Sequence, residues 1–296
     1  MSSGHKSLVS YLSCKICDGT ITLESNRTVD GLPLARCRNC GLLFVRDIYE
    51  KKPRIDEISH LEKYYTEIAT DKSKFDYGLN LINIYLNSQN RSLINQKLLD
   101  VGCGDGFFVS HCNMLGIKAS GYDISAAVVT MAAKKGLEVF NKLEEINEKF
   151  DIITMFDVLE HMENPRNELK SLANLLKPNG LIFIETPRKC LADFYLNILE
   201  KLRLAKNNRV SAEHLQLFTN KSLEILIDKI HYKIINFENK NSLSWGGLKG
   251  MSKYVENIGI SFKPVNRLIV MLAKLLIMMN IFGNNKAIIL VTARKK

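Results

Sequence analysis

Proline, glycine and cysteine are scarce in this chain. Its 296 residues include 6 Pro, 17 Gly and 7 Cys, while 46% are hydrophobic and 24% are charged. This composition excludes collagen-like, low-complexity and disordered proteins. Seven cysteines over this length are also too few for a disulfide-rich secreted scaffold. The sequence therefore predicts a globular protein, either one large α/β domain or one ordinary domain with a small accessory module.

Long apolar segments are lacking as well. Residues 1–13 have no apolar core of the kind found in signal peptides, so we expect a reducing, cytoplasmic location. The most hydrophobic stretch, residues 264–282, is too short to predict a membrane span, which needs about 20 apolar residues. It lies in a tail, residues 261–296, with seven Lys or Arg and no acidic residue. We favour a helix that packs on the protein or forms a homodimer interface, and peripheral membrane contact is the alternative.

Acidic residues are outnumbered by basic ones. The chain has 41 Lys and Arg against 31 Asp and Glu, which gives a formal net charge of +10. An excess of this sign favours an anionic partner, such as nucleic acid, a phosphorylated small molecule or an anionic membrane surface. Charge alone leaves all three open.

Four of the cysteines form two Cys-x-x-Cys pairs near the N-terminus. Nineteen residues separate the pair Cys14 and Cys17 from the pair Cys37 and Cys40. Each pair can form a knuckle turn that presents two sulfurs, and the interval suits a hairpin that folds one knuckle over the other. The alternative, a redox motif or free thiols, is disfavoured by the second pair. The spacing predicts a structural zinc ribbon with a closed Zn²⁺ site, so chemistry is expected elsewhere.

From residue 97 onward, predicted strands alternate with predicted helices. The strands are predicted at 97–101, 118–122, 137–140, 150–156 and 181–186, followed by 233–237 and 287–294. The helices are predicted at 107–115, 125–135, 165–176 and 221–230. This alternation is typical of an α/β fold with a parallel sheet covered on both faces.

A glycine-rich loop, residues 98–106 (L-L-D-V-G-C-G-D-G), joins the first strand to the first helix. Phe107 stands where a dinucleotide-binding loop has its third small residue, which disfavours NAD. Asp123, 21 residues after Gly102, can accept hydrogen bonds from both hydroxyls of a ribose. The acidic pair Asp100 and Asp123, with no Lys or Arg in the loop, suits a cationic adenosine ligand without phosphate. S-adenosylmethionine (SAM) fits that description.

Four motifs in this order resemble class I SAM-dependent methyltransferases. They are the glycine loop, G-Y-D-I-S, F-D-I-I-T-M-F-D-V-L-E-H-M and L-L-K-P-N-G-L-I-F-I-E-T-P. The whole chain is more particularly similar to bacterial methyltransferases with an N-terminal four-cysteine zinc module and an H-L-x-x-F-[S/T] element, here residues 214–219. Many of these modify sugars, surface glycans or natural products. The core also resembles ubiquinone-pathway O-methyltransferases, which lack the zinc module.

The resemblance implies a Rossmann-like seven-stranded methyltransferase sheet behind the small zinc ribbon. We expect the ribbon over residues 1–48, a connector with the first helices over 49–96 and the methyltransferase domain over 97–296. Substrate or lid insertions are expected at about 188–213 and 240–284. The implied cofactors are SAM and a structural zinc ion.

The resemblance also assigns site residues. It implies that the loop residues contact the methionine part of SAM, namely Asp100, Gly102, Cys103, Gly104 and Gly106. It places Asp123 and Ile124 at the ribose and the adenine, and Phe156 and Asp157 against the cofactor or the acceptor.

Methyl transfer to a hydroxyl also needs a group that takes the hydroxyl proton, and neutral imidazole suits that role near pH 7. His161 follows the fourth strand, at the edge where ligands bind in α/β sheets, and His214 opens the 214–219 element. Either one could be the base, or could instead orient the loop or the substrate lid. Glu160 and Glu185 are secondary candidates.

The leading hypothesis is methylation of an anionic small molecule, at a hydroxyl of a sugar, nucleotide sugar or surface-glycan precursor. Three alternatives stay open: an rRNA or tRNA methyltransferase, a ubiquinone-type O-methyltransferase and a non-catalytic SAM-binding scaffold. Nucleic acid is disfavoured as a partner because the ribbon sequence has no set of aromatic residues for base stacking.

Overall fold

A computed structural model describes residues 8–28, 31–49, 72–189, 210, 214–240 and 285–293. Most of the predicted insertions at 188–213 and 240–284, the connector residues 50–71 and the whole segment 264–282 lie outside the described residues. Within the described ranges, no helix is long and apolar enough to cross a membrane.

Thirteen strands and five α-helices are described. The strands are β1 (Leu8–Ser10), β2 (Ile21–Arg27), β3 (Pro33–Cys37), β4 (Leu43–Val45), β5 (Asp47–Tyr49), β6 (Lys97–Val101), β7 (Lys118–Tyr122), β8 (Val139–Phe140), β9 (Phe150–Phe156), β10 (Leu176–Pro187), β11 (Gln216–Leu217), β12 (Tyr232–Lys240) and β13 (Lys286–Ala293). The helices are α1 (Ser73–Ser88), α2 (Phe107–Met114), α3 (Ala126–Lys134), α4 (Pro165–Ala173) and α5 (Asn220–Lys229).

The larger sheet has seven strands in the order β12-β13-β10-β9-β6-β7-β8. Neighbouring strands from β10 to β8 pair in parallel, and β13 lies antiparallel between β10 and β12. The predicted α/β fold with a Rossmann-like seven-stranded sheet is confirmed. From β6 the chain adds β7 and β8 on one side of the sheet and then β9 and β10 on the other. At this reversal of strand order, the carboxyl ends of β6 and β9 border a crevice suited to a ligand.

Both faces of this sheet are covered, so its central strands are apolar on both sides. One face carries Leu99, Ile153 and Ile182 and packs against α4, α5 and the four-cysteine module. The other carries Leu98, Ile152 and Phe183 and packs against α1 and α2. The side chains that carry chemistry therefore collect at the ends of the strands.

Several predicted boundaries differ from the observed ones, and the hydrogen bonds explain three of them. Helix α4 ends at Ala173 instead of residue 176, because the carbonyl of Leu175 accepts a bond from the Phe150 nitrogen and Leu176 already pairs with Phe150. Strand β10 accordingly begins at residue 176, ahead of the predicted 181. Strand β8 lacks the predicted residues 137 and 138, because the Leu137 nitrogen still donates to the Ala132 carbonyl at the end of α3.

The N-terminal module forms its own small sheets. Strands β1 and β5 pair with each other, and the second sheet has the order β11-β4-β3-β2. Its fourth strand, β11, comes from the second half of the chain and pairs antiparallel with β4. The predicted boundary at residue 48 stays a prediction, and the small sheet extends beyond it in sequence.

Candidate active site

The glycine loop leaves β6 at the carboxyl edge of the sheet and turns into α2. Gly102, Gly104 and Gly106 have φ angles of +71°, +56° and +79°. A Cβ at Gly102 would lie 2.4 Å from Val158 Cγ2, and one at Gly106 would lie 2.3 Å from Leu137 Cδ1. Both positions require glycine, because the backbone is left-handed and the neighbouring side chains leave no room.

Asp123 lies directly after β7 and holds the glycine loop in place. Its carboxylate accepts hydrogen bonds from the backbone nitrogens of Gly104 at 3.1 Å and Ser125 at 2.9 Å. Burial raises the pKa of Asp123, and these two bonds partly offset the effect. The next residue, Ile124, is 82% exposed. The pair presents a carboxylate and an apolar surface at this edge of the sheet, and their contact with the nucleoside part of SAM stays a prediction.

Two polar residues within the loop segment 98–106, Asp100 and Cys103, are buried. Asp100 is 4% exposed and accepts a hydrogen bond from Thr154 Oγ1 at 2.7 Å. Burial raises the pKa of Asp100 to about 7, against the opposing effect of that bond. Cys103 packs so tightly on Gly121 that a Cβ added there would lie 2.6 Å from its sulfur. Asp100 therefore ties the loop to β9, and Cys103 fills the space under it.

Strand β9 ends at Phe156, and Asp157 follows it. The Phe156 ring lies 4.9 Å from the Phe75 ring in an edge-to-face arrangement. Asp157 has a left-handed φ of +58° and pairs with Lys286, and also with Lys74 at 3.4 Å. Burial lowers the pKa of Lys286 to about 7. A partly buried ion cluster thus joins α1, β9 and β13 at the mouth of the crevice.

Glu160, His161 and His214 form an acid–base cluster. One potential ligand atom from each lies within 4.8 Å of the other two, and the imidazole centroids are 4.7 Å apart at an interplanar angle of 81°. Glu160 is 1% exposed; its Oε2 accepts a bond from Thr186 Oγ1 at 2.9 Å, while Oε1 has no hydrogen-bond partner within the described part of the chain. Burial raises the pKa of Glu160 to about 7. The sequence predicts each histidine as a separate candidate base, and in the structure the two imidazoles lie side by side.

The turn that carries Glu160 and His161, a short 3-10 helix over Leu159–His161, is tied to its surroundings on two sides. It directly follows Val158, which packs over Gly102 of the glycine loop. The backbone nitrogen of Leu215 donates to the Glu160 carbonyl at 2.9 Å. The acid–base cluster therefore lies on the segment that borders the glycine loop.

The four predicted zinc ligands also come together. Cys14 Sγ lies 3.6 Å from Cys40 Sγ, Cys17 Sγ lies 3.5 Å from Cys37 Sγ, and all four sulfurs are within 4.8 Å of one another. A tetrahedral zinc ion with bonds of about 2.3 Å places its sulfurs about 3.8 Å apart. The hydrogen bond between Cys14 and Cys40 lowers the pKa of Cys14 and raises that of Cys40, so without a metal the negative charge of this pair lies on Cys14. The donor set fits zinc.

A family model described as a methyltransferase domain matches residues 62–236, more than half of the chain. The matched region contains the glycine loop, Asp123 and the whole acid–base cluster. The chain belongs to this methyltransferase family. The family match and the fold together make it a class I SAM-dependent methyltransferase domain with SAM as its cofactor.

Curated relatives of this methyltransferase are named ubiquinone biosynthesis O-methyltransferase. The relative from Glaesserella parasuis serovar 5 (strain SH0165) is 35% identical over 130 residues, covering 39% of this chain and 55% of the relative. The relative from Marinobacter nauticus (strain ATCC 700491 / DSM 11845 / VT8) is 28% identical over 170 residues, covering 49% and 71%. The chain thus matches little more than half the length of the first relative.

Two solved structures share the fold of this methyltransferase. The plantazolicin methyltransferase BamL, solved with a substrate analogue and SAH, has a TM-score of 0.51 at 17% identity, covering 80% of this chain and 91% of that one. A sarcosine dimethylglycine methyltransferase assigned in Galdieria sulphuraria has a TM-score of 0.50 at 13% identity, covering 79% and 98%. At these identities, the likeness supports the fold alone.

Sequence reasoning missed the ion cluster around Asp157 and the pairing of β11 with β4. Lys74 and Lys286 are 212 positions apart and meet only because β13 inserts beside β10. Strand β11 is two residues long, too short to show a strand period. The H-L-x-x-F-[S/T] element was the available signal for β11, although it did not indicate the partner strand.

Proposed function

We propose that this methyltransferase moves the methyl group of SAM to a hydroxyl of a small-molecule acceptor, namely a sugar, nucleotide sugar or surface-glycan precursor. The acid–base cluster is the observation that supports an oxygen acceptor. Two of its members, Glu160 and His161, lie on the turn directly after Val158, which packs over the glycine loop. A hydroxyl must lose its proton as its oxygen bonds to carbon, and a neutral imidazole takes a proton near pH 7.

When bound, SAM supplies a methyl group attached to a positively charged sulfur. Its transfer to the acceptor oxygen would break the carbon–sulfur bond and leave the electron pair of that bond on sulfur. The hydroxyl proton passes to a ring nitrogen of His161 or His214, and it later leaves to solvent. Glu160, buried beside both rings, would stabilise the imidazolium when ionised. The products are the methylated acceptor, S-adenosylhomocysteine (SAH) and one proton.

We also propose the SAM contacts that the sequence assigned to the loop and the strand ends. Asp100, Gly102, Cys103, Gly104 and Gly106 would form the methionine side, Asp123 and Ile124 the nucleoside side, and Phe156 and Asp157 the reacting side. Calorimetry should detect SAH binding that is lost in Asp123→Ala and kept in Asp228→Ala on the surface of α5. Unchanged affinity in Asp123→Ala would contradict the assignment.

The histidine that acts as base can be identified by substitution. Replacing the base by Gln should lower kcat about 10²- to 10⁴-fold. Replacing the other histidine should have a smaller effect, and both variants should keep the SAH affinity of the wild type. If neither His161→Gln nor His214→Gln lowers kcat tenfold, proton removal by this cluster is refuted.

The four cysteines would hold one structural zinc ion per chain. All four coordination positions would be filled by sulfur, so the ion would stabilise the fold and would not touch substrate. Metal analysis of the purified protein should give about one zinc per chain. A fully folded protein without metal would contradict the proposal.

The second candidate function is O-methylation of a ubiquinone precursor, which the name of the 35% identical relative favours. Labelled SAM should be incubated with nucleotide sugars, lipid-linked glycans, a catechol-type quinone precursor and extracted RNA. Label in the sugar or glycan fractions supports the leading proposal, and label in the quinone precursor supports the second. Label found in RNA alone would overturn both.

An anionic acceptor would suit the net charge of +10. We also propose that residues 264–282 form either a homodimer interface or a peripheral contact with a membrane. Sedimentation of the protein with anionic vesicles tests the membrane contact. Recovery of all the protein in the supernatant, with a dimer by light scattering, would favour the interface instead.

A further inference from the structure

The strand that follows His214 belongs to the sheet of the four-cysteine module. Gln216 and Leu217 of β11 pair with Phe44 and Leu43 of β4, and the Val45 nitrogen donates to the Leu215 carbonyl at 2.9 Å. The strand that fixes β11 is β4, which begins three residues after the last cysteine ligand, Cys40. The position of His214, directly before this segment, therefore depends on the module.

A second contact joins the segment directly to a knuckle. The Thr219 hydroxyl donates to the carbonyl of Cys40 at 2.6 Å. Thr219 is also the N-cap of α5, where it accepts a bond from the Ser222 nitrogen at 3.0 Å. Its methyl group lies 3.2 Å from the place of a Cβ at Gly41. Residues 215–219 are thus held at both ends by the module.

On its other side, the same segment holds the turn that carries His161. The Gln216 amide is buried, and its Nε2 donates to the carbonyls of Leu159 and Met162, both at 2.8 Å. These two carbonyls flank Glu160 and His161 in the chain. Gln216 therefore spans the space between the module's sheet and the turn, with one hydrogen bond on each side of the histidine.

Apolar packing follows the same route. The interior of the module, including Cys37, Cys40 and Phe44, forms one continuous buried cluster with Phe218 and Leu159. Because packed interiors transmit displacement between neighbouring side chains, a shift of the knuckles would displace both segments of the acid–base cluster.

We propose that the four-cysteine module is a positioning element of the acceptor site, with Gln216 as the positioning residue that connects metal occupancy at the cysteines to the geometry of His161 and His214. The module then does more than stabilise a remote part of the chain. The kinetic consequence of this inference rests on the proposed function of the histidines, whereas the structural coupling does not.

The test compares zinc-loaded wild type, zinc-stripped wild type, Gln216→Met and Lys221→Ala. Met has about the volume of Gln but removes both donated hydrogen bonds. Lys221 reaches Asn39 across the same junction at 3.5 Å on the exposed surface, so it serves as the matched control. Three readouts are needed: the imidazole NMR signals of His161 and His214, exchange of the Leu215 amide, and SAH affinity.

Zinc removal and Gln216→Met should both shift the imidazole signals and speed exchange at Leu215 about tenfold, the loss expected from one or two net hydrogen bonds. SAH affinity should stay within about twofold in Gln216→Met, and Lys221→Ala should match wild type in every readout. If zinc removal unfolds the whole chain, Gln216→Met decides alone.

Unchanged histidine signals and Leu215 exchange in Gln216→Met would overturn the inference, whatever the activity. Failure of the proposed function has a different signature. In that case the coupling would persist in the spectra and the exchange rates, while His161→Gln and His214→Gln would leave kcat unaffected.

Discussion

Gly102 and Gly136 share a left-handed backbone, with φ of +71° and +76°, but their surroundings differ. A Cβ at Gly102 would meet Val158 at 2.4 Å, whereas no atom of the described residues lies within 4 Å of one at Gly136. Both changes to Ala bring backbone strain of about 1–2 kcal/mol, and Gly102→Ala adds a clash. We expect Gly102→Ala to lose SAH affinity at least about tenfold and Gly136→Ala to keep it, as measured by calorimetry. Equal affinities would contradict the place of the loop in the site.

The buried Glu160 predicts a specific pH dependence of stability. Its pKa rises from the usual 4.5 to about 7 in the folded protein, so the folded state holds a proton that the unfolded chain has lost between those values. Stability from this group is present below about pH 4.5 and is lost as the pH rises through 7, by up to about 3 kcal/mol.

Glu160→Gln should therefore flatten the fall in unfolding free energy between pH 5 and pH 8, as followed by urea unfolding at several pH values. Glu224→Gln, an exposed change on α5, should follow the wild-type curve. A Glu160→Gln curve parallel to wild type would show that burial does not control this carboxyl.

Three elements meet at Asp157, and the two lysines that pair with it differ in burial. The side chain of Lys286, at the start of β13, is 13% exposed, and that of Lys74, on α1, is 31% exposed. Removing a buried partner leaves a charge without compensation, while exposed pairs contribute little. Lys286→Met should cost more unfolding free energy than Lys74→Met, which should cost less than about 1 kcal/mol. Denaturant unfolding of both variants checks this, and equal losses would contradict the ranking.

Elements defined by local patterns could be predicted from the sequence, and elements that depend on remote partners could not. Strand β6 occupies the predicted residues 97–101 because apolar residues precede a glycine turn, and the cysteine pairs meet because their spacing is short. In contrast, the start of β10 depends on where Phe150 pairs, and β11 exists because β4 offers an open edge. The acid–base cluster combines both cases, since Glu160 and His161 are local and His214 arrives through β11.

At the scale of the whole molecule, the four-cysteine module and one face of the large sheet share a buried core. Cys14, Ile16 and Phe44 belong to the same apolar cluster as Ile153 and Leu223. A polar bridge adds to it, because Arg166 of α4 pairs with Asp18 at 2.6 Å. Units that share a core unfold together, whereas modules joined by a linker alone unfold separately.

The zinc-loaded protein should therefore show a single calorimetric unfolding transition. Zinc removal should lower its midpoint by at least about 10 °C, since structural zinc sites bind with about 10–16 kcal/mol and each kcal/mol lost shifts a large domain by about 2–4 °C. SAH should raise the one transition as a whole, because a ligand bound in the crevice stabilises everything that unfolds with it. Two transitions, with SAH shifting the large sheet and zinc shifting the other, would show two independent units. Two independent units would also share no packed core through which the cysteines could affect His214. The calorimetric scan therefore tests both whether the chain unfolds as one unit and whether the four-cysteine module can position the histidines.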